Sequence, residues 1–365
     1  MISGSGDDHL GQRIADVVVD KFLKLNSKAG KPSVRSNGVK EWTVLASMVM
    51  IKDNEVIPLC LTTGVKSLPE KVRTYSQGLM VHDMHAEILC IRSFNRFLIE
   101  ECLKDGEMVV RTDTQKFKFK DDIKLALFIS EPPCGDASMN YLISSKQDNT
   151  PWKDETPETK RRKVIRGRSH FDKLGIVRTK PGRSDSVETL SKSCSDKLCI
   201  KQSTGLNNSV TSELFDPIFL DYLVLRSDKF HRDDLARCFK DRFAISIHDL
   251  EILTYEEDNY PFHKAEGTVP SPNSLVYIDN CEPTIHVLNN GVKIGSYVKN
   301  KPPKKGGESI LCNHRMIQDA SKLLDLQTYT TYIEFKNSQE RRKVIEKAKN
   351  HLENWVCTGI DDFSI

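Results

Sequence analysis

The 365-residue chain is notable first for what it lacks. No apolar run approaches the roughly 20 residues that cross a bilayer; the longest, such as TVLASMVMI, fall far short. The N-terminus, MISGSGDDHLGQR, has no positive segment leading into an apolar one, so no signal peptide is expected. The protein should therefore remain in the nucleus or cytoplasm, not be secreted, and have no membrane partner. None of the ten cysteines forms a CxxC pair. Scattered thiols in a long intracellular chain are reduced core residues or metal ligands, not a disulfide framework. There is no internal repeat and no low-complexity tract. Glycine and proline, at 19 and 15, are too few for collagen or wholesale disorder, and 38% hydrophobic residues are enough for a large core. Net charge is almost absent too. Fifty-four Lys and Arg against 51 Asp and Glu leave +3, which by itself gives no reason to expect a nucleic-acid partner.

What is present is a regular alternation of elements. Ile14, Val17, Val18, Phe22 and Leu25 mark an amphipathic helix over 10–25. Residues 42–51 and 56–62 read as strands around the turn KDNE, 85–103 as a helix, and 125–130 as a short apolar strand before EPPCGD and a helix in ASMNYLI. This order predicts an α/β sandwich with helices on a sheet. Residues 145–183 carry few aliphatic side chains and read as a basic, flexible insertion. Beyond it, 210–225 is apolar enough to be buried. Strands are expected at 275–278 and 284–288, and helices at 309–325 and 338–355.

His85-Ala86-Glu87 opens the second helix, and Pro133-Cys134 stands between a strand and a helix. H-x-E followed by P-C-x-x-C is the signature of zinc nucleobase deaminases. Catalytic zinc takes three protein ligands and leaves a fourth position for water, whose pKa it lowers. A carboxylate that does not bind the metal must then shuttle protons. The residue three after Cys134 is Ala137, so the second thiolate must come from elsewhere. Cys194, in SCSDK, stands out; Cys199 is the nearest rival thiol and reads as a core residue. The spacings, 49 residues from His85 to Cys134 and 60 more to Cys194, are unlike those of ordinary cytidine deaminases.

MHAEILCIRSFNRFL, EPPCGD and SCSDK, in this order, resemble the deaminase domain of the RNA adenosine deaminases. That family holds the enzymes acting on double-stranded RNA and the related tRNA-specific deaminases. The resemblance implies a cytidine-deaminase-like three-layer α/β/α fold, enlarged by insertions and a C-terminal extension into one domain over 1–365. It implies one catalytic zinc on His85, Cys134 and Cys194, with Glu87 as proton shuttle. It also implies a buried structural inositol hexakisphosphate. Arg92, Lys197, Ser209, Tyr332, Lys336 and Trp355 match the family's cage for it, and an Asp83–Lys197 link would tie it to the zinc site. Ile91 and Asn313 depart from basic cage positions, and Lys201 is only near one; Arg341, Arg342, Lys343 and Lys347 could supply the missing charge. Val44 and Lys66 match positions at the nucleotide pocket, whereas Val65 replaces a threonine.

The small net charge hides a local one. Residues 160–183 hold ten Lys and Arg and one Asp, +9, so the other 341 residues sum to −6. Such a stripe between two zinc-ligand motifs reads as an RNA contact, with Arg166, Arg168, Arg178, Lys180 and Arg183 as candidates. Few residues precede the first helix, so no separate duplex-RNA-binding domain is expected there. The resemblance is therefore to the tRNA-specific type, which converts the adenosine 3′ of the anticodon of alanine tRNA, position 37, to inosine. The alternatives are a deaminase of other structured or double-stranded RNA, or a catalytically inactive RNA-binding member. No obligate protein partner is expected.

Overall fold

The structure, a computed structural model, describes residues 8–104, 106–120, 122–144, 164–167, 169–170, 173–180, 186–243, 248–280 and 282–365. An eight-stranded mixed sheet forms its centre. Its strands are β1 (Leu45–Lys52), β2 (Glu55–Thr63), β3 (Lys124–Ile129), β4 (Tyr222–Arg226), β5 (Glu251–Tyr255), β6 (Asn273–Ile278), β7 (Thr284–Asn289) and β8 (Val292–Lys293). The spatial order is β5-β4-β3-β1-β2-β6-β7-β8. β4 runs parallel to β3 and β5, and the other neighbours are antiparallel.

Helices cover both faces. Along β1, Leu45 and Val49 pack toward helix α1 (Asp8–Lys24), while Ala46, Met48 and Met50 pack toward α2 (Ala86–Leu103). Along β3, Ala126 and Phe128 take the α1 side, and Leu125, Leu127 and Ile129 the α2 side. Burial on both faces is why these strands are apolar throughout instead of alternating. Ile14, Val18 and Phe22 of α1 are fully buried. Gly11 lets that helix lie on β5, because a Cβ there would stand 2.1 Å from the Thr254 carbonyl oxygen. The expected α/β sandwich is thus present, as a three-layer arrangement.

Several boundaries move. The turn between β1 and β2 is Asp53-Asn54, both at positive φ (48° and 66°), the geometry that matches hairpin twist. Trp42 lies outside β1 and pairs instead with Pro270. Strand β5 carried no sequence expectation. The helix expected at 338–355 is confined to Glu340–Asn350, and a further helix, Tyr332–Ser338, started by a Thr331/Glu334 capping box, precedes it without having been expected. The helix expected at 309–325 is confined to Asn313–Ala320. Of the basic insertion, residues 145–163 lie outside the described residues; farther on, Ile165–Arg166 pairs in parallel with Arg178–Thr179. Among the described residues no helix is long and apolar enough to cross a membrane.

Candidate active site and metal centre

Each expected metal ligand sits where one element gives way to another. His85 ends a short strand, Asp83–His85, whose partner Val65–Ser67 sets Val65 opposite His85 and Lys66 opposite Met84. Cys134 lies in the loop after β3. Cys194 is the first residue of the helix Cys194–Thr204, whose N-cap Ser193 accepts from the Asp196 N–H at 3.2 Å. The ligand atoms of the three all lie within 4.8 Å of one another. His85 Nδ1 is 3.8 Å from Cys134 Sγ, and the Cys194 N–H donates to that sulfur at 3.4 Å. Gly135 makes the approach of the two loops possible. Its φ is +105°, and a Cβ there would meet Ser193 Oγ at 2.2 Å. One imidazole and two thiols form a donor set that suits zinc and leaves a fourth position open.

Glu87, on the first turn of α2, is 3% exposed. Burial raises its carboxyl above the ordinary range; His85 and Lys180 oppose the rise and Cys134 adds to it. The hydrogen bond from Cys194 holds the Cys134 thiol well below its usual range, while burial pushes Cys194 well above.

A buried ion network lies beside this triad. Lys180 Nζ reaches both carboxylate oxygens of Asp83, at 2.8 and 2.7 Å. Lys197 pairs with the same carboxylate and donates to Ser191 Oγ at 2.7 Å. Burial works against the Asp83 charge, yet Lys180 and then Lys197 hold it well below the usual carboxylate range. The expected Asp83–Lys197 link is therefore present. Lys180 joins it unexpectedly, buried and turned inward and not toward RNA. Arg178 likewise is 0% exposed. Its guanidinium donates to the carbonyls of Gly167, Ser169, His170 and Lys173, and its N–H to Asp196. Arg166 is half-buried, bound to Ser186 O and paired with Glu188. In these three expected RNA contacts, donors are bound by the protein's own carbonyls and carboxylates. Arg168 and Arg183 lie outside the described residues. Val44 and Lys66 do come to the site: the Gly64 N–H donates to Val44 O, and the Ala86 N–H to Gly64 O.

The acidic residues of the two cysteine motifs gave no signal of their own, although each stood inside its motif. Asp136 is fully buried and takes Arg237 Nε on both oxygens at 3.2 Å and the Gly175 N–H at 2.8 Å. Asp196 takes Arg242 at 2.7 Å. They brace the loops that carry the sulfurs.

A second cluster is almost entirely cationic. Arg92 spends donors on Leu311 O and Asn313 Oδ1, so Asn313 serves as an acceptor in place of a charge. Lys201 donates to the carbonyls of Leu206 and Asn207, and Arg341 to those of Thr204, Gly205 and Asn207. Burial, then Arg341, Arg92 and Lys336, push Lys201 well below its ordinary value. Lys336 is lowered to about 8 by burial and by Arg342 and Lys349. Tyr332 bonds Ser209, and Lys192 and Lys349 flank the Trp355 ring at 5.6 and 5.8 Å. Ile91 packs in the apolar core. Lys343 and Lys347 stand exposed, and Arg342 pairs with Glu346. Of the suggested substitutes for lost charge, Arg341 is the one turned inward. The C-terminal tail closes this side. Phe363 stacks on Tyr332, with ring centres 5.0 Å apart, and Asp361 takes the Gly78 N–H and His82 Nε2 at 2.8 and 2.7 Å.

This geometry belongs to a nucleobase deaminase fold, and comparison with known families makes the class definite. The chain belongs to the adenosine-deaminase (editase) family, whose domain model matches residues 60–358. It is 36% identical to tRNA-specific adenosine deaminase 1 of Schizosaccharomyces pombe, over 98% of this chain and 97% of that one. It is 33% identical to the Saccharomyces cerevisiae protein of the same name, over 99% and 96%. The double-stranded RNA-specific editase Adar of Drosophila melanogaster is 27% identical over 65% of this chain and 36% of its own length.

Proposed function

We propose that this chain is a zinc-dependent tRNA adenosine deaminase that converts the adenosine 3′ of the anticodon of alanine tRNA, position 37, to inosine. The observation that carries the chemistry is the meeting of His85, Cys134 and Cys194 within 4.8 Å of one another, with buried Glu87 two residues after His85. The tRNA substrate rests on the two fungal relatives that match nearly end to end.

His85, Cys134 and Cys194 would hold zinc, which would supply a water acidified enough to act as nucleophile near neutral pH. The base must leave its stack to reach the pocket. Val44 and Lys66, joined to His85 through Gly64 and the short ribbon, border its place. Glu87 takes a proton from the attacking water and gives it to the adenine ring nitrogen; it then takes the proton of the hydroxyl added to the ring carbon and delivers it to the amino group, which leaves as ammonia while the carbonyl forms. Its raised proton affinity suits a group that must accept and return a proton in each turnover. Asp83, held by Lys180 and Lys197, keeps His85 on its strand; its oxygen accepts the His85 N–H at 3.2 Å.

The cation cluster supports a buried polyanion, and inositol hexakisphosphate is the reading proposed for it. Arg92, Lys201, Lys336 and Arg341, with Ser209, Tyr332 and Trp355, would hold it. Desolvated cations facing one another are very costly unless an anion joins them. The test of the chemistry is Glu87→Gln. It should retain one zinc per chain and lose inosine formation; retained activity would refute the role given to Glu87.

A further inference from the structure

A second basic stretch lies in the C-terminal third, and its total charge is smaller than that of 160–183. Between Glu282 and Glu308 there is no acidic residue, and there are five lysines: Lys293, Lys299, Lys301, Lys304 and Lys305. The segment hangs from the β7–β8 hairpin at the edge of the sheet. That hairpin is fastened to the strand leading into His85. The Val81 N–H donates to Gly291 O at 2.9 Å, and the Gly291 N–H meets Met84 Sδ at 3.0 Å. Gly291 allows this contact, since a Cβ there would stand 2.4 Å from Val81 O. The lysine segment therefore follows a hairpin that is bonded to Met84, the residue before a metal ligand.

The loop is held in shape by its own backbone. The Lys293 N–H donates to Gly307 O, Ser296 to Lys293 O, Lys304 to Ser296 O, and Gly307 to Lys304 O, all at 2.8 to 3.0 Å. Its charges are turned the other way. Lys299, Lys301, Lys304 and Lys305 are exposed, and among the described residues no carboxylate pairs with them. Tyr297 and Ile294, 36% and 51% exposed, stand beside them. Arg166, Arg178 and Lys180 of the insertion are bound internally, whereas of these four lysines Lys304 donates to Gly295 O at 3.0 Å and, among the described residues, Lys299, Lys301 and Lys305 make no such bond. Like charges fixed in one ordered loop repel unless an external anion meets them, and a stripe of lysines with an exposed aromatic fits a phosphate backbone.

We infer that the loop 293–307 is a second RNA contact, gripping substrate phosphates beside the target nucleotide, with Tyr297 available to stack on an unpaired base. This rests on the RNA-deaminase reading above. The test uses the full-length zinc-loaded chain and alanine tRNA. One variant carries Lys299→Ala, Lys301→Ala, Lys304→Ala and Lys305→Ala; a second replaces the same four by Arg. The alanine variant should raise KM about tenfold or more at physiological salt and leave kcat unchanged. Its log KM should depend on log salt less steeply, by about one for each lysine that meets a phosphate. The arginine variant should behave as wild type. Wild-type KM and salt slope in the alanine variant would overturn the inference. So would an equal fall of kcat in both variants, which would mark a role through the fold. If the wild type itself leaves alanine tRNA unchanged, the substrate reading fails separately, and the same comparison is read on the RNA that the wild type does deaminate.

Discussion

Two buried charged regions lie side by side in this molecule, and they are balanced differently. Around the metal ligands opposite charges meet one another: Lys180 and Lys197 on Asp83, Arg237 on Asp136, Arg242 on Asp196. In the neighbouring cluster Lys201 faces Arg341, Arg92 and Lys336, and it donates to the carbonyl oxygens of Leu206 and Asn207 instead of to a carboxylate. The first arrangement builds a machine that stands by itself apart from its metal. The second needs something from outside. Lys197 belongs to the first through Asp83, and one helical turn later Lys201 belongs to the second.

The largest effect should come from removing a ligand of the balanced region. Cys194→Ala should lose both the metal and all measurable deamination, read by metal analysis and inosine formation. Asp83→Asn comes next. It strands two buried lysine charges and should cost about 3–5 kcal/mol in denaturant unfolding. Asp361→Ala leaves the Gly78 N–H and His82 without their acceptor and should cost about 1–3 kcal/mol by the same measurement.

The unbalanced region predicts a pH dependence. Lys336 and Lys192 are both lowered to about 8, so between there and the ordinary lysine range the unfolded chain binds more protons than the folded one. Stability of protein stripped of anions should therefore rise from about pH 8 to about 10.5. Added inositol hexakisphosphate should abolish that slope by keeping the lysines protonated, and it should raise Tm. Thermal unfolding across this range, with and without the anion, checks both. The smallest effect belongs to the exposed Lys343, paired with Glu340 at the surface. Lys343→Ala should change stability by less than about 0.5 kcal/mol.

The sequence revealed most where chemistry is local. PCGD and SCSDK each carry a ligand together with the glycine or cap that aims it, and HAE sets its ligand at a helix start, so His85, Cys134 and Cys194 were legible although 49 and 60 residues separate them. The sheet was legible where strands are buried on both faces, and the sequence was silent at β5 and at the helix Tyr332–Ser338, where short segments and a capping box decide. Charge was the poorest guide. A count over 160–183 registers +9 but not that Arg178 is surrounded by carbonyls and Lys180 held by Asp83. Lys201 and Arg341 were legible only as basic residues, because their inward direction depends on how helices pack far along the chain.

The most direct test of the central claim is incubation of the zinc-loaded protein with unmodified alanine tRNA, followed by sequencing of its reverse transcript. The account predicts an A-to-G change at the position 3′ of the anticodon, absent with Glu87→Gln and absent from a tRNA lacking that adenosine. An unchanged transcript, or changes spread over other adenosines, would contradict it.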